Sequence, residues 1–311
     1  MRNFHVPSLG RAGVSTTLNH LKEQGLSINT HVWIYDFEEK EYRKYYSDMN
    51  IHILHFPDGK NLTRKRNMIM DFIIKSGESG MMLDDDINQF IIGKTKYSNY
   101  KVVKTMDFAL VYDLLERASV LCPDVVSFCT KRNFITTYEH NEKSLFTKFS
   151  VPSALVFFTG KNMISRADEK TKADDICLAT ECWLNKELAL KINLIYAKFS
   201  FGNNAGGLQT GHTDFNESTK QRLEEERDFM IEKYDNACTY SFNTKTGYFG
   251  SNGSKVRKWL LDTGKYTTEE MKALDTKVKE YSKLVYEDEI FNDILSRVHN
   301  NKWNIIKKGE N

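Results

Sequence analysis

The chain has 311 residues, of which 40% are hydrophobic and 28% charged, a composition typical of a folded globular protein and not of a disordered one. The 44 Lys and Arg residues nearly balance the 42 Asp and Glu residues, which excludes binding to a polyanion through net charge and leaves only local basic clusters for that role. No apolar run approaches the ~20 residues that cross a bilayer, so we expect a cytoplasmic protein without a membrane span.

The first 130 residues alternate short apolar runs with helical patterns. This alternation predicts an α/β fold with a mostly parallel sheet and helices on both faces. In such sheets ligands bind beyond the carboxyl ends of the strands. The predicted elements, in chain order, are a strand over Phe4–Pro7, a helix over Ser15–Gln24, a strand over His31–Phe37, a helix over Glu38–Tyr46, a strand over Ile51–Phe56, a helix over Leu62–Lys75, a strand over Met81–Leu83, a helix over Thr105–Leu121 and a strand over Val125–Cys129.

The second half of the chain has longer helical patterns and fewer strands. Its predicted elements are a strand over Ala154–Thr159, a helix over Asp174–Ile192, a strand over Leu194–Phe201, a Gly-rich stretch over Gly202–Gly211, helices near Ser218–Lys233 and Thr267–Val298, and a loop over Phe249–Gly253. We therefore predict a catalytic domain over residues 1–215 and a mainly helical C-terminal extension over residues 216–311. The five cysteines are odd in number and form no CxxC pair, which favours free thiols in a reducing compartment.

The strand over Met81–Leu83 runs directly into three acidic residues, Asp84, Asp85 and Asp86. Three consecutive carboxylates repel one another and are hard to bury without a cation. Hard oxygen ligands suit Mg²⁺ or Mn²⁺, and such a metal can bridge a diphosphate. The sequence therefore predicts a divalent metal site here; the alternative is a solvated acidic turn.

The segment Asn61–Asn67 (NLTRKRN) opens the helix that precedes this strand. Arg64, Lys65 and Arg66 add positive charge beside a helix N-terminus, which itself attracts anions. We predict a diphosphate-binding role for this segment, with a solvated basic helix start as the alternative.

Several motifs occur in the order typical of GT-A glycosyltransferases. Pro7-Ser8-Leu9-Gly10-Arg11-Ala12 resembles their nucleotide loop, and Arg66-Asn67 followed by Met82-Leu83-Asp84-Asp85-Asp86 resembles their "RN … DxD" core. Lys172–Leu178 (KADDICL) resembles their later acidic pair at a helix start. VPSLGRAG with Thr16-Thr17-Leu18 beyond it resembles the TET-associated, phage-type DNA glycosyltransferases, which glycosylate hydroxymethylated bases in DNA. These include arabinosyl- and glucosyltransferases of T4-like phages.

The resemblance implies a role for each matching position. Ser8, Arg11, Asp36, Arg66 and Asp84 are expected to bind a UDP-sugar donor, with Asp36 near the base or ribose. Asp86, together with Asp84, is expected to hold Mn²⁺ or Mg²⁺, and Asp85 to point away because neighbouring strand residues alternate sides. Asp175, with Asp174 as the second choice, is expected near the acceptor hydroxyl as a general base if the enzyme inverts configuration.

Two further predictions concern the metal ligands and the acceptor. In some GT-A enzymes a late histidine completes the metal shell, which makes His212 a candidate ligand. Double-stranded DNA with hydroxymethylated bases would need local basic surface, and aromatic residues interleave with several lysines. The candidate nucleic-acid contacts are Lys94, Lys96, Lys101, Lys131 and Arg132, with Lys104 and the Lys255, Arg257, Lys258 group as further clusters.

Three other functions remain open from the sequence. The first is a GT-A glycosyltransferase that acts on a saccharide or a protein. The second is a sugar nucleotidyltransferase, although Leu9-Gly10-Arg11-Ala12-Gly13 imitates the Gly-rich loop of that class poorly. The third is a DNA-binding protein without catalytic activity, in which the acidic triplet is merely exposed.

Overall fold

The computed structural model describes residues 1–57, 59, 61–93, 103–131, 144–150, 154–171, 174–199, 217–235, 241–243, 248–250 and 253–297. Side chains within these ranges are described except at residues 131, 217–220, 222, 223, 226, 241–243, 248–250 and 253–255. The Gly-rich stretch and His212, predicted from the sequence, lie outside the described residues, as do Lys94, Lys96, Lys101 and Arg132.

A ten-stranded mixed sheet forms the centre of the protein, in the order β3-β2-β1-β4-β9-β7-β10-β5-β6, with β8 paired to β10. A separate two-stranded sheet joins β11 to β12. The strands are β1 (Phe4–Pro7), β2 (Thr30–Tyr35), β3 (Asn50–Leu54), β4 (Gly80–Leu83), β5 (Ile87–Ile92), β6 (Val103–Thr105), β7 (Val125–Lys131), β8 (Phe146–Thr147), β9 (Leu155–Phe158), β10 (Leu188–Phe199), β11 (Ser241–Asn243) and β12 (Tyr248–Gly250).

The helices cover both faces of the large sheet. They are α1 (Thr16–Glu23), α2 (Glu39–Tyr46), α3 (Leu62–Ser76), α4 (Phe108–Leu121), α5 (Asp174–Leu184), α6 (Glu217–Tyr234), α7 (Gly253–Asp262), α8 (Thr268–Glu287) and α9 (Glu289–Arg297). Alternate strand residues enter two separate apolar clusters, because successive side chains point to opposite faces. Leu155 and Phe157 of β9 enter one cluster, while Val156 and Phe158 enter the other.

The parallel part of the sheet determines where a site can form. Strands β1, β2, β3 and β4 pair in parallel, so their carboxyl ends meet at one edge. Strand β9 runs antiparallel to β4, and Leu83 pairs with Leu155 at the same edge. Residues that follow β1, β2 and β4 therefore meet residues that precede β9, as the binding rule for α/β sheets predicts.

The predicted α/β class, with a mixed sheet and helices on both faces, is confirmed. The strands and helices of the first half lie within a few residues of their predicted bounds. The helix expected from Thr105 instead begins at Phe108, because Asp107 caps it by accepting a hydrogen bond from Leu110 N. The sequence reading did not foresee β5 and β6, which continue the sheet beyond the acidic triplet.

The helix predicted over Asp174–Ile192 was too long. Helix α5 ends at Leu184, Lys186 takes a left-handed conformation (φ 56°), and β10 begins at Leu188 instead of Leu194. Residues 188–192 have an apolar pattern that fits a helix, but pairing with β7 and β8 places them in the sheet. Tertiary pairing thus overrides local propensity here.

Two predictions in the C-terminal region were also wrong. The single helix expected over Thr267–Val298 is two helices, because Asp288 is extended (ψ 120°) and its Oδ1 accepts from Phe291 N at 2.7 Å. The segment expected to be a loop, Phe249–Gly253, overlaps the end of β12 and the first residue of α7, a helix that was not predicted.

The C-terminal helices contribute residues to the apolar clusters on both faces of the sheet. Val285 of α8 and Phe291 of α9 lie in the apolar cluster with α4, and Arg117 of α4 pairs with Asp288 at 2.6 Å. Met230 and Leu260, from α6 and α7, lie in the cluster on the other face. None of the helices in the described ranges combines the length and apolar character that a bilayer span requires. The division at residue 215 remains a prediction.

Three histidines form a stacked row across β1, β2 and β3. The ring centroids of His5 and His31 are 4.7 Å apart, and those of His31 and His52 are 5.1 Å apart. His31 Nδ1 and His52 Nε2 are 2.8 Å apart, so one of these rings donates to the other. Burial lowers the pKa of all three, that of His31 to about 4. The row is therefore neutral at pH 7.

This histidine row should make the protein acid-labile. The unfolded chain binds protons near pH 6.5 while the folded chain resists them, so stability is complete above pH 6.5 and falls as the pH drops toward 4. His31 alone should account for up to about 3 kcal/mol of that loss. Urea unfolding of wild type and His31→Phe from pH 7.5 to 4.5 tests this. The variant should lose less stability on acidification, and parallel pH curves would contradict the assignment.

Two glycines with positive φ differ in what surrounds them. At Gly160 (φ +73°) an added Cβ would lie 2.5 Å from the backbone oxygen of Glu78, whereas at Gly264 (φ +67°) nothing lies within 4 Å. Gly264→Ala should cost about 1 kcal/mol, the strain of a left-handed alanine. Gly160→Ala should cost about 1 kcal/mol more, because backbone must also shift. Urea denaturation of both variants measures the difference; equal losses would show that the clash relaxes freely.

Candidate active site

The loop after β1 and the acidic turn after β4 are joined by hydrogen bonds. Ser8 Oγ donates to Asp85 Oδ2 at 2.5 Å, and Arg11 Nη1 contacts Asp85 Oδ1. Arg11 Nη1 also lies 3.2 Å from Asp86 Oδ2. The loop predicted to bind the nucleotide therefore lies directly against the acidic triplet, as the parallel pairing of β1 with β4 requires.

The triplet forms a turn between β4 and β5, so its side chains do not follow strand alternation. Asp84 accepts a hydrogen bond from Arg66, whereas Asp85 and Asp86 both contact Arg11. The expected strand alternation, with Asp84 and Asp86 on one side and Asp85 on the other, is therefore wrong, because Asp86 shares Arg11 with Asp85 while Asp84 contacts Arg66.

Arg66 bridges two carboxylates from distant parts of the chain. Its Nη2 donates to Asp84 Oδ1 and its Nη1 to Asp174 Oδ2, both at 2.6 Å. Burial opposes the charge on Arg66, but the carboxylates of Asp174 and Asp84 outweigh it and raise its pKa. Burial raises the pKa of Asp84 despite the contact with Arg66. The bridge joins the start of α3, the end of β4 and the start of α5.

A depression opens beside this bridge, with about 410 Å³ of empty space that is partly open to solvent. Asp174 and Asp175 of α5 line it together with Arg66 and Asp84. Asp175 is only partly buried, and its Oδ1 accepts from Ile176 N at 2.8 Å. Two of the predicted donor-side residues, Arg66 and Asp84, therefore meet both acceptor-side residues at one depression, whereas Ser8, Arg11 and Asp36 are not among its lining residues. Apolar side chains such as Met70 and Val156 complete its wall.

The three basic residues at the start of α3 have different partners. Arg64 Nε donates to Glu169 Oε2 at 2.7 Å on the protein surface. Lys65 is buried, and its Nζ donates to the backbone oxygens of Ser8 at 2.8 Å and Trp33 at 3.2 Å. Of the three, Arg66 alone lines the depression.

Asp36 follows β2 at the same edge of the sheet. It is exposed, and its Oδ2 lies 2.5 Å from His55 Nδ1, a hydrogen bond that lowers the pKa of Asp36. The next residue, Phe37, is 64% exposed and stacks on Tyr35 with ring centroids 5.6 Å apart. A carboxylate and an aromatic ring thus follow β2 at the edge of the sheet where the nucleotide loop follows β1.

The chemistry of the carboxylates partly fits a divalent cation. Among the described residues, Asp84, Asp85, Asp86 and Asp174 pair with two guanidiniums, those of Arg11 and Arg66, so these six side chains carry a formal charge of −2 when fully ionised. Burial and then the Asp84 carboxylate raise the pKa of Asp86 to about 6. Within the described ranges, however, no three His, Cys, Asp or Glu side chains are arranged to hold a metal ion. Asp84 and Asp86 alone do not complete a ligand set.

The remaining predicted nucleic-acid contacts are only partly described. Lys131 ends β7, toward the edge of the sheet that carries the depression, but its side chain lies outside the description. Lys104 is exposed on β6. Arg257 Nη1 pairs with Asp275 Oδ2 at 2.9 Å, near the antiparallel β8 region. These residues remain candidates.

Several residues that organise the site were missed in the sequence. Tyr42 Oη lies 2.7 Å from Ser8 Oγ and accepts from Arg11 N at 3.2 Å. Glu38 Oε1 accepts from Gly10 N at 2.5 Å. Their only sequence signal is a place within the helix predicted over Glu38–Tyr46. Ser15, by contrast, could have been recognised, because it is the N-cap of α1 and donates to Asp85 O at 2.7 Å.

Removing the Arg66 bridge should destabilise the protein. Arg66→Met leaves the carboxylates of Asp84 and Asp174 without their shared cation, and we expect a loss of about 2 kcal/mol, below the usual cost of breaking a buried pair because Asp84 is one-third exposed. Urea unfolding at pH 7 measures it. Arg64→Met, which removes a surface pair, is the matched control and should cost less than about 1 kcal/mol. Equal losses of stability in the two variants would contradict a stabilising role for the Arg66 bridge.

A family of known proteins matches the region of the chain that contains this site. The family model described as TET-Associated Glycosyltransferase matches residues 3–190, which include the nucleotide loop, the acidic triplet and α5. No curated protein matches.

Two solved structures show a limited likeness. Protein A197 from STIV is 12% identical, with a TM-score of 0.36, over 66% of this chain and 89% of its own. A protein described as a nucleotide-diphospho-sugar transferase from Desulfovibrio desulfuricans G20 is also 12% identical, with a TM-score of 0.34, over 75% of this chain and 99% of its own. At these scores neither likeness bears on activity. The family match covers more than half of the sequence, and the chain belongs to the TET-associated glycosyltransferase family and is a glycosyltransferase.

Proposed function

We propose that this glycosyltransferase transfers arabinose or glucose from a UDP-sugar to 5-hydroxymethylcytosine in phage DNA, with Mn²⁺ or Mg²⁺ as cofactor, in the cytoplasm of the host cell. The observation that carries the proposal is the bridge from Arg66 to Asp84 and Asp174 beside the loop that holds Arg11. Family membership supports the transfer of a sugar. The acceptor and the metal rest on the resemblance of the motifs and on the charge of the site.

On the donor side, two arginines supply positive charge for a diphosphate. Arg11, in the loop after β1, and Arg66, in α3, both contact the acidic turn, and both side chains are more than three-quarters buried. Guanidinium groups bind phosphate oxygens with two parallel hydrogen bonds, which suits this position. Ser8 would contact the nucleotide and Asp36 its base or ribose.

A divalent cation would be held by Asp86 and Asp84, with His212 as the predicted third ligand. The formal charge of −2 on the group supports this assignment, although the described carboxylates do not complete the ligand set. When bound, the cation would stabilise the charge that develops on the leaving diphosphate.

On the acceptor side, Asp175 lines the depression and is partly exposed. In an inverting transfer, the hydroxyl oxygen of the base forms a bond to the anomeric carbon, and the bond from that carbon to the diphosphate oxygen breaks. UDP leaves with the electron pair, and the hydroxyl proton passes to the Asp175 carboxylate. In a retaining transfer this role would change.

The acceptor would be reached through basic surface near the carboxyl edge of the sheet. A base inside a duplex must usually be flipped out before chemistry on it. Lys94, Lys96, Lys101, Lys131 and Arg132 are the proposed contacts, and of these Lys131 ends β7 at the edge of the sheet that carries the depression. The proposed division of labour assigns catalysis to residues 1–215 and support of that domain to residues 216–311.

Family membership also reduces the number of alternative functions. A DNA-binding protein without activity and a sugar nucleotidyltransferase both disagree with a glycosyltransferase family. A saccharide or protein acceptor does not, and it remains the second candidate. Salt-sensitive DNA binding would separate the two, because the second candidate does not require it.

The direct test is transfer to defined DNA. The purified protein is incubated with a hydroxymethylated duplex, Mn²⁺ and either UDP-arabinose or UDP-glucose, and the DNA is analysed by mass spectrometry. We expect the mass of one sugar per modified base, and no gain with unmodified cytosine or with a chelator present. If the DNA gains no mass with any UDP-sugar, the proposal of a DNA acceptor is wrong. If the DNA gains mass with a chelator present, the proposal of a metal cofactor is wrong.

A further inference from the structure

The middle carboxylate of the acidic triplet has no assigned role in the proposed reaction, yet it makes the most contacts with the nucleotide loop. Asp85 is 8% exposed, and its two carboxylate oxygens contact different loop residues, Ser8 and Arg11. Its backbone oxygen accepts from Ser15 Oγ at 2.7 Å. One residue of the turn therefore holds both ends of the loop between β1 and α1.

The direction of these hydrogen bonds follows from the chemistry of the partners. A carboxylate can only accept, so the Ser8 hydroxyl donates to Asp85. The Tyr42 hydroxyl, 2.7 Å from Ser8 Oγ, must then donate to Ser8, and it accepts from Arg11 N. The carboxylate thereby orients the hydroxyls of Ser8 and Tyr42 in sequence.

The buried ammonium group of Lys65 also holds this loop, through hydrogen bonds to backbone oxygens. Lys65 Nζ donates to Ser8 O at 2.8 Å and to Trp33 O at 3.2 Å, at the ends of β1 and β2. Ser8 is thus fixed through its side chain by Asp85 and through its backbone by Lys65. Groups held in this way lose little freedom when a ligand binds, which strengthens binding.

Arg11 keeps capacity for a ligand even though it is buried. Its side chain is 10% exposed, and its Nε has no hydrogen-bond partner among the described residues. Both carboxylate contacts use Nη1. A buried guanidinium that is incompletely paired favours an anion as its further partner.

We propose that Asp85 is a positioning residue that holds Ser8 and Arg11 in the arrangement that binds the donor diphosphate, while Asp84 and Asp86 serve the site directly. The residue acts through the loop and contacts neither donor nor metal. This inference rests on the proposed donor site.

The test compares UDP binding by calorimetry, with Mn²⁺ present, in wild type and Asp85→Asn. The amide keeps the size of the side chain but loses the charge-assisted contacts, so the Kd for UDP should rise about tenfold or more. Asp113→Asn is the matched control, because Asp113 also binds an arginine, Arg2, but on helix α4 away from the loop. Its Kd should stay within twofold of wild type.

A double-mutant cycle separates positioning from general destabilisation. If Asp85 acts through Arg11, Asp85→Asn should add less than twofold to the Kd of Arg11→Ala, whereas independent effects would multiply. Should Asp85→Asn fail to fold, Tyr42→Phe, which removes the hydroxyl that orients Ser8, should raise the Kd about threefold.

The outcomes distinguish this inference from the proposed function. If wild type does not bind UDP, the donor site and the role of Asp85 both fall. If wild type binds UDP and Asp85→Asn, or Tyr42→Phe in its place, binds equally well, the positioning role alone is overturned. Multiplicative effects in the cycle also overturn it.

Discussion

Asp175→Asn should slow sugar transfer about 1000-fold at saturating donor, because an amide cannot take the proton of the acceptor hydroxyl. The Kd for UDP should stay within about twofold, since Asp175 is proposed to act on the acceptor hydroxyl and not on the diphosphate. Single-turnover kinetics with a hydroxymethylated duplex measure the first value and calorimetry the second. A collapse of UDP affinity would place Asp175 on the donor side.

The neighbouring Asp174→Asn is the control for this prediction. Asp174 is buried, and its Oδ2 accepts from Arg66 at 2.6 Å. Loss of its charge should alter the arginine that is proposed to bind the diphosphate, so donor affinity should change more than the rate at saturation. If Asp174→Asn instead abolishes turnover without changing UDP affinity, Asp174 is the base and the two assignments exchange.

Asp86→Asn should lower transfer by about 100-fold or more, in line with the charge stabilisation that a metal supplies to a leaving group. The fold should survive, because removing one of three crowded carboxylates relieves repulsion, and the ion pair of Asp86 within the described residues is a 3.2 Å contact with Arg11. A Mn²⁺ titration of turnover should show weaker Mn²⁺ binding as the cause, because activity should recover in part at high Mn²⁺.

Thermal unfolding serves as the control for Asp86→Asn. A midpoint within a few degrees of wild type, together with the loss of turnover, assigns the effect to the site. Near-normal turnover would remove Asp86 from it. An unchanged Mn²⁺ dependence with lost turnover would keep Asp86 in the site but dissociate it from the metal.

The C-terminal region supports the acceptor side of the site by direct contact. Tyr234, at the end of α6, lies 2.8 Å from Cys177 Sγ and donates to Glu181 Oε1 at 2.7 Å, both on α5. Helix α5 begins with Asp174 and Asp175. Residues beyond the family match at 190 therefore brace the helix that carries these carboxylates.

The sequence was sufficient for much of the first half because local signals and packing agree there. Ser15 caps α1 and Asn61 caps α3, and each helix follows its predicted strand. The apolar run before Asp84 becomes β4, whose four residues are all buried. Where local propensity and the fold coincide, the pattern alone identifies the element.

Tertiary structure decided the features that depend on distant partners. Residues 188–192 became a strand because β7 and β8 offered edges to pair with, which no local pattern reveals. Arg66 lies 108 positions from Asp174, and Asp85 lies 77 from Ser8, so their contacts exist only once the parallel strands meet. The sequence by itself thus determined which residues carry charge beyond the strands, while the fold decided which charges neutralise one another, since that depends on distance and burial.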